Sequence, residues 1–379
     1  MSTKSDVLII GGGLAGLTAG IHLSQMGISV TIIEKNTYPK HKVCGEYISN
    51  EVLPYWNELG IEVSKLLPTQ ITQLEFSLPN GRAVQAPLPM GGFGLSRYVL
   101  EAYLYQKAIA VGCTICTETV ESIHFAEDMF TITTDTPRVL TSHTVFGAYG
   151  KRSNIDLLLR RSFVQHKSPW LAVKAHYTGD FKEDWVGLHH FKGGYCGVSK
   201  VENNTINICY LADFETFKKY KNITDYQENV VCGNPILKRI FNSCQMVFEK
   251  PLTISQISFE AKLPVENHIL MLGDSAGLIH PLCGNGMAMA IHSAKIASEL
   301  LLKYRNHEIQ SRVDLERKYT EAWNLHFKKR MQTGRILARV LQNQQLSKII
   351  LQLCVAFPKL LKGIITMTHG KPITMTTLP

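Results

Sequence analysis

The sequence has 379 residues, 45% hydrophobic and 19% charged, which is enough to bury a large core and build two domains or one with a substantial insertion. No run reaches the roughly 18 to 20 apolar residues of a membrane span, the apolar start reads as a strand rather than a signal peptide, and nine irregularly spaced cysteines read as reduced thiols. The expectation is a cytoplasmic body without a disulfide framework, and its net charge of +9 is local: residues 322–379 hold nine Lys and Arg and no acid, leaving the rest balanced.

Asp6-Val7-Leu8-Ile9-Ile10 predicts a buried strand that runs into Gly11-Gly12-Gly13-Leu14-Ala15-Gly16, a helix over 14–26 and a second strand over 29–33 ending at Glu34. Glycines at this spacing fit a tight turn that brings bare backbone against a pyrophosphate at the helix start. Glu34 stands where an acid accepts hydrogen bonds from a ribose diol. Residues 39–47 are polar and turn-rich, and 48–59 predicts a helix. Cys44, in that loop, reads either as a cofactor-side thiol or as a structural one.

Alternation over 71–88 with Pro79-Asn80-Gly81 at its centre predicts a hairpin in a second sheet. Ser96 is a candidate N-cap for a helix over 98–111, and Arg97, a cation in the first turn, invites an external anion. Cys113 and Cys116 have C-x-x-C spacing but fall in a strand with no second pair, so they read as structural. Strands over 131–134 and 139–145 predict a meander ending at Gly147 to Ser153, a second candidate cofactor contact. Strands over 170–177, 185–191, 194–201, 205–211 and 256–263, interrupted by helices over 214–241, predict a sheet with a helical cover. His189 and His190 face opposite ways on a strand and read as surface or pocket histidines rather than a metal pair.

The last strong signal is a strand over 269–272 followed by Gly273-Asp274-Ser275 and a Pro/Gly-rich loop that opens a helix over 288–302. Asp274 is placed to bond a sugar-alcohol hydroxyl, and the free N–H groups at the helix start suit an electron-rich ring.

Taken together, Gly11 to Gly16 with Glu34, Arg97, Gly147 to Ser153 and Gly273 to Met287 resemble the FAD-dependent aromatic hydroxylase and geranylgeranyl reductase superfamily over residues 1 to about 320. The resemblance implies an α/β fold: a Rossmann-like FAD-binding domain (1–70, 94–160 and 260–320), an inserted antiparallel β-sheet substrate domain (71–93 and 161–259) and a basic amphipathic helical tail (321–379). It assigns cofactor contacts to Gly11, Gly13, Leu14, Ala15, Gly16, Glu34, Lys35, Cys44, Arg97, Val120, Gly150, Asp274, Gly284, Gly286 and Met287. Among these the first motif holds the ADP half, Asp274 the ribityl chain and the following helix the isoalloxazine. Lys42-Val43-Cys44-Gly45 is similar to the reductase branch, and Cys44 and Cys283 are the flavin-side candidates. The family's third motif has Asp-Gly where this chain has Tyr149-Gly150, which removes the carboxylate tied to use of NADPH or NADH as electron donor.

Three activities follow from the resemblance. The first is a monooxygenase hydroxylating a lipophilic aromatic or polyketide-type substrate through a flavin hydroperoxide. The second is an ene-reductase saturating isoprenoid double bonds, and the third a catalytically silent flavin-binding protein. The Trp-x-Trp-x-Ile-Pro stretch of flavin halogenases is absent, as is a dedicated base. In the tail, Leu346, Ile349, Ile350, Leu353 and Phe357 form one helical stripe up to Pro358 and Leu360, Leu361, Ile364 and Ile365 continue it. This suits packing on the sheet or an anionic membrane surface, and with no recognisable motif it does not suit nucleic acid. The oligomeric state is not encoded in any of these signals.

Overall fold

The computed structural model describes residues 2–375. A leading strand β1 (Ser2–Lys4) precedes β2 (Val7–Ile10), α1 (Leu14–Gln25) and β3 (Val30–Glu34), so the expected strand, turn, helix and strand are present. β2 and β3 are buried at every residue and therefore read as continuous runs. The segment expected as a helix over 48–59 begins instead as β4 (Tyr47–Ser49) and turns once before α2 (Leu53–Glu58), because the Ser49 hydroxyl caps the turn and Pro54 sits at the first helical positions. The hairpin is β5 (Thr69–Ser77) and β6 (Ala83–Gly94), with Gly81 at φ 80° in its turn. Ser96 caps α3 (Arg97–Ala110) by accepting the Val99 N–H at 3.1 Å.

β7 (Thr114–Thr117), β8 (Val120–Ala126), β9 (Met129–Thr134), β10 (Val139–Ser142) and β11 (Thr144–Gly147) follow. The single strand expected over 139–145 is two. β10 pairs antiparallel with β9, while β11 pairs parallel with β2, and the Ser142 hydroxyl sits at the switch, accepting the Thr144 N–H at 3.0 Å with Asp6 O at 2.8 Å and Thr144 O at 2.9 Å as acceptors for its one proton. Cys113 and Cys116 are buried, one beside the Ser24 hydroxyl at 3.1 Å and the other beside Arg138 Nη1 at 3.1 Å.

α4 (Asn154–Leu158) leads to β12 (Trp170–Gly179), β13 (Trp185–Phe191), β14 (Gly194–Lys200) and β15 (Ile206–Asp213), then to α5 (Phe214–Phe217), α6 (Ile223–Asn229) and α7 (Pro235–Ser243). The strand expected over 256–263 does not form. β16 (Cys244–Met246) and β17 (Leu252–Ser255) pair with β12 instead, and at Gln256 a φ of 59° turns the chain out of the sheet. β18 (Val265–Glu266) and β19 (Ile269–Met271) precede α8 (Gly286–Arg305) and α9 (Arg312–Trp323). A π-helical turn, Asn324–Lys328, joins α9 to α10 (Lys329–Gln342), and α11 (Gln344–Ala356) and α12 (Pro358–Thr368) end the fold.

Three sheets result. The mainly parallel one has the order β18-β19-β11-β2-β3-β7, a small one β1-β10-β9-β8, and a nine-stranded one β16-β12-β15-β14-β13-β5-β6-β4, with β17 on β12. α1 packs between α3 and α8 over the parallel sheet. One face of the large sheet is covered by α5 to α7 through Val173, Val198, Ile208 and Tyr226. The tail covers part of the other through Cys354, Leu361 and Ile365 against Ile71, Leu74 and Val186. The sequence stripe therefore splits: Ile350 and Leu361 turn inward, while Leu346, Ile349, Leu353, Phe357 and Leu360 are exposed.

His189 and His190 are neither surface nor cavity residues. His189 is fully buried with Nδ1 at 2.9 Å from the Ser77 hydroxyl, and His190 packs on Phe76 and Tyr195. Burial holds them down at about 4 and about 3, so they act as neutral core side chains.

Candidate cofactor and substrate site

A cavity of about 820 Å³ runs from the glycine turn, past α8, to the inner face of α11 and α12. Gly11, Gly13, Leu14, Ala15, Glu34 and Lys35 line its first end, and Arg97, Val120, Gly150 and Asp274 its middle. Cys44, Cys283, Gly284, Gly286 and Met287 stand around the start of α8. Gly16 is the exception among the expected contacts. It works one layer back, where a Cβ would lie 2.0 Å from Gly11 O, so only glycine lets helix and strand approach this closely.

Gly11 has φ 104° and a Cβ there would meet Ala148 O at 2.5 Å, so this turn too requires glycine. Gly13 is different: the nearest atoms to its Cβ position are Arg97 Nη2 at 3.5 Å, Glu101 Oε1 at 3.7 Å and Lys42 Nζ at 3.7 Å. Glu101, 1% exposed at its side chain, holds both cations, accepting Arg97 Nε at 2.8 Å and pairing with Lys42 at 3.0 Å. Burial works against the Arg97 guanidinium, but Glu101 and Cys44 outweigh it and raise its pKa. Arg97 thus already has an internal carboxylate partner, and the Nη2 that bonds Glu101 is also the guanidinium atom nearest Gly13. Two cations and the uncapped N-terminus of α1 converge on one open point, the chemistry of a diphosphate seat.

Glu34 is buried and committed: Oε2 accepts the Gly12 N–H at 2.9 Å and Oε1 accepts Asn36 N at 3.0 Å and Nδ2 at 2.7 Å. A carboxylate has about four acceptor sites, so one remains for a ribose hydroxyl. Asp274 lines the cavity with no hydrogen-bond partner on its carboxylate among the described residues, and burial raises its pKa against the pull of Lys151, Lys262 and Arg97. α8 starts on Asn285 with no side-chain cap: Asn285 Nδ2 donates to Thr368 O at 2.9 Å and its buried Oδ1 accepts none of the first N–H groups, which stay free for a ligand. An acceptor at each sugar position, a cationic seat and a second uncapped helix in one cavity fit FAD.

The two cysteines differ. Cys44 Sγ lies 3.6 Å from Met287 Sδ, at the first turn of α8. Cys283 faces Gly334 of α10, where a Cβ would come within 2.9 Å of Sγ, and burial pushes its thiol up to about 12, so it forms wall rather than thiolate. Tyr149 OH lies 3.2 Å from Arg161 Nη1 and 3.4 Å from Met271 Sδ. The carboxylates on Arg161 come instead from Asp156 at 3.1 Å and Glu266 at 2.6 Å.

Sequence reasoning missed Glu101 and Lys262, and it gave Lys42 and Lys151 no role of their own within the stretches that contain them. Glu101 was findable as the i+4 partner of Arg97. Lys262 Nζ donates to Asp274 O at 2.9 Å and lies 4.4 Å from the Phe163 ring centre, and burial lowers its pKa from 10.5 to about 8. A lysine with a lower pKa in the folded state binds fewer protons there than in the unfolded chain between these values. Unfolding free energy should therefore rise with pH from about 8 to 10.5. Urea unfolding of wild type against Lys262→Met checks this: the rise should vanish in the variant, and equal profiles would contradict it.

Residues 4–128 match the family model described as FAD binding domain, and residues 235–348 the one described as squalene epoxidase. Conditioned medium factor receptor 1 of Dictyostelium discoideum is 24% identical over 85% of this chain and 68% of its own length. Digeranylgeranylglycerophospholipid reductase of Methanosarcina mazei is 23% identical over 85% and 81%, and ubiquinone hydroxylase UbiM of Neisseria meningitidis 22% over 86% and 75%. The flavin-dependent brominase Bmp2 superposes with a TM-score of 0.79 at 18% identity, over 97% of this chain and 93% of that one. A geranylgeranyl bacteriochlorophyll reductase-like protein of Thermoplasma acidophilum gives 0.74 at 17%, over 100% and 94%, and both likenesses are of fold. The chain carries a FAD-binding domain, is similar over most of its length to geranylgeranyl reductases and FAD-dependent hydroxylases, and is a FAD-dependent oxidoreductase.

Proposed function

We propose that the protein is a monooxygenase acting on a long, apolar, unsaturated chain drawn from an anionic lipid surface. The observation that carries this reading is the limb of the cavity beyond Met287. Leu74, Val84, Leu88, Val186 and Leu188 line it from the sheet and Ile350, Leu361, Ile364 and Ile365 from the tail. An aliphatic wall of this kind suits a flexible hydrocarbon better than the aromatic or polyketide-type substrate expected from the sequence. Bound FAD would supply two-electron chemistry and, when reduced, reactivity toward O₂.

The chain's own residues have separable tasks. Arg97 and Lys42 would hold the diphosphate, Glu34 and Asp274 would accept from the sugar hydroxyls, and the free first N–H groups of α8 would stabilise negative charge at that end of the cavity. The limb excludes water and aligns the chain. Electrons come from NADH or NADPH, bound transiently, with Tyr149 in place of the family's acid.

Saturation of a double bond is the second reading, favoured by the position of Cys44 and Tyr195. It needs a proton donor at carbon, and the Cys44 thiol and the Tyr195 hydroxyl, the latter with its pKa raised by burial, both line the cavity. With polyisoprenoid alkenes, FAD, NADPH and O₂, the mass of the product decides: gain of one oxygen is expected, and gain of two hydrogens that persists without O₂ would replace the first reading with the second.

The lipid surface is supported by exposed Leu346, Ile349, Leu353, Phe357 and Leu360 beside Arg339, Lys359 and Lys362, while no described helix is long and apolar enough to cross a membrane. Burying Leu353 and Phe357 in lipid contributes about 1.5 to 3 kcal/mol each, so Leu353→Glu with Phe357→Glu should lower flotation with anionic vesicles at least about tenfold. Equal flotation of variant and wild type would remove the membrane from the proposal.

A further inference from the structure

The floor of the apolar limb is the inner face of the large sheet, and one strand position on it carries no side chain. β14 alternates, so Tyr195, Gly197 and Ser199 share the face that lines the cavity, while Cys196 and Val198 pack under the helical cover. Gly197 is matched in register with Leu188 of β13 on one side and Cys209 of β15 on the other, and both of these line the cavity too. Glycine in the interior of a strand weakens it, because it loses more backbone freedom on folding and packs nothing, so its presence there calls for a cause.

The usual causes do not apply at Gly197. Among the other glycines in described strands, a Cβ at Gly92, Gly94, Gly147, Gly179, Gly187 or Gly194 would come within 2.6 Å of a neighbouring atom, and Gly91 has φ 64°. Gly197 is outside the left-handed region, and a Cβ there would meet nothing closer than Cys209 O at 3.6 Å and Leu188 Cδ2 at 3.9 Å, which is ordinary contact. Neither the backbone nor the packing of the protein asks for glycine. What glycine leaves open is space above the sheet that belongs to the cavity.

That space lies between two apolar walls. The cross-strand row on one side of Gly197 holds Tyr195 and Leu211, which pack with Ile257, Leu278 and Leu282. The row on the other side holds Ser199, Val186 and Leu74, the last two packed with Leu361 and Ile365 of the tail. Leu188, in the same row as Gly197, packs against both clusters. A hydrocarbon that touches both walls therefore has to cross the Gly197 row, and a side chain at 197 would stand in its path. Resting on the reading of the cavity as the site of a long apolar chain, we propose that Gly197 is a specificity-determining residue: its bare backbone is the crossing that lets one chain lie over both walls.

Calorimetric titration of the FAD-loaded protein with linear polyisoprenoid alkenes of two and of four isoprene units tests the assignment. Gly197→Val should weaken binding of the longer alkene at least about tenfold, the effect of a carbon or two too many in an apolar pocket, and leave the shorter within about twofold. Gly197→Ala should show the same selectivity in weaker form, and it decides the matter should Gly197→Val not fold. FAD affinity should be unchanged in both. The unfolding temperature of Gly197→Ala should be no lower than that of wild type, because a side chain that fits restricts the unfolded chain more than glycine does. Equal losses for the two alkenes, or none, would overturn the proposal. Weaker FAD binding would give the space to the cofactor instead, and a lower unfolding temperature in Gly197→Ala would make the glycine structural; either result overturns the proposal. Wild type that binds neither alkene would overturn the reading of the cavity on which the proposal rests.

Discussion

Gly13→Asp should yield a folded, colourless protein. The position has φ −84°, ordinary for any residue, and nothing lies closer than 3.5 Å to its Cβ, so the backbone accepts the change. The new carboxylate enters the point where Arg97 and Lys42 converge and occupies both in place of a diphosphate. Loss of two charge-assisted bonds, each about 1.5 to 3 kcal/mol, predicts FAD binding at least about 100-fold weaker. Gly13→Ala, which adds bulk without charge, should weaken binding less. Fluorescence titration with FAD measures both, and a variant Gly13→Asp that binds like wild type would show that the seat is elsewhere.

Arg161→Met should cost about 3 to 5 kcal/mol of folding stability, because it strands Asp156 and Glu266 without their common partner. Arg161 is 1% exposed at its side chain and also donates to Ser275 O at 2.7 Å and Leu263 O at 3.2 Å. It thereby joins the strand end at Tyr149 to the loop that carries Asp274. Tyr149→Phe removes one neutral bond of this network and should cost only about 0.5 to 1.5 kcal/mol. Urea unfolding of the two variants gives the comparison. Equal losses would mean that Tyr149, not the carboxylates, anchors the arginine.

The parts of the fold set by local chemistry were legible in the sequence. The turn at Gly11, the hairpin at Gly81 and the Ser96 cap each depend on residues within a few positions of one another. The misread segment over 256–263 shows the limit. Ile257 and Phe259 alternate, but they do so to pack against Ala172, Tyr195 and Leu278 at the cavity, not to form a strand. Alternation reports one buried face and is silent on what covers it.

The site was legible to a similar depth. Glycines and Asp274 announced a cofactor, while the pairing of Glu46 with Lys174 and His176 spans 128 and 130 residues and depends on how the loop meets the large sheet. Its one trace in the sequence was a lysine and a histidine at alternate positions of the apolar strand Trp170–Gly179. The inward turn of Ile350 and Leu361 was equally hidden, because the stripe was wide enough to serve both sheet and surface. Only packing shows which residues became cavity wall.

The central claim is that the glycine turn, Arg97 with Lys42, Asp274 and the start of α8 hold one FAD molecule along one cavity. Its most direct test is the absorption spectrum of the full chain after incubation with FAD and gel filtration. The account predicts that the near-ultraviolet and blue bands of oxidised flavin travel with the protein at close to one flavin per chain, together with a higher unfolding temperature. Protein that remains folded but elutes without those bands, with unfolding unchanged by FAD, would contradict it.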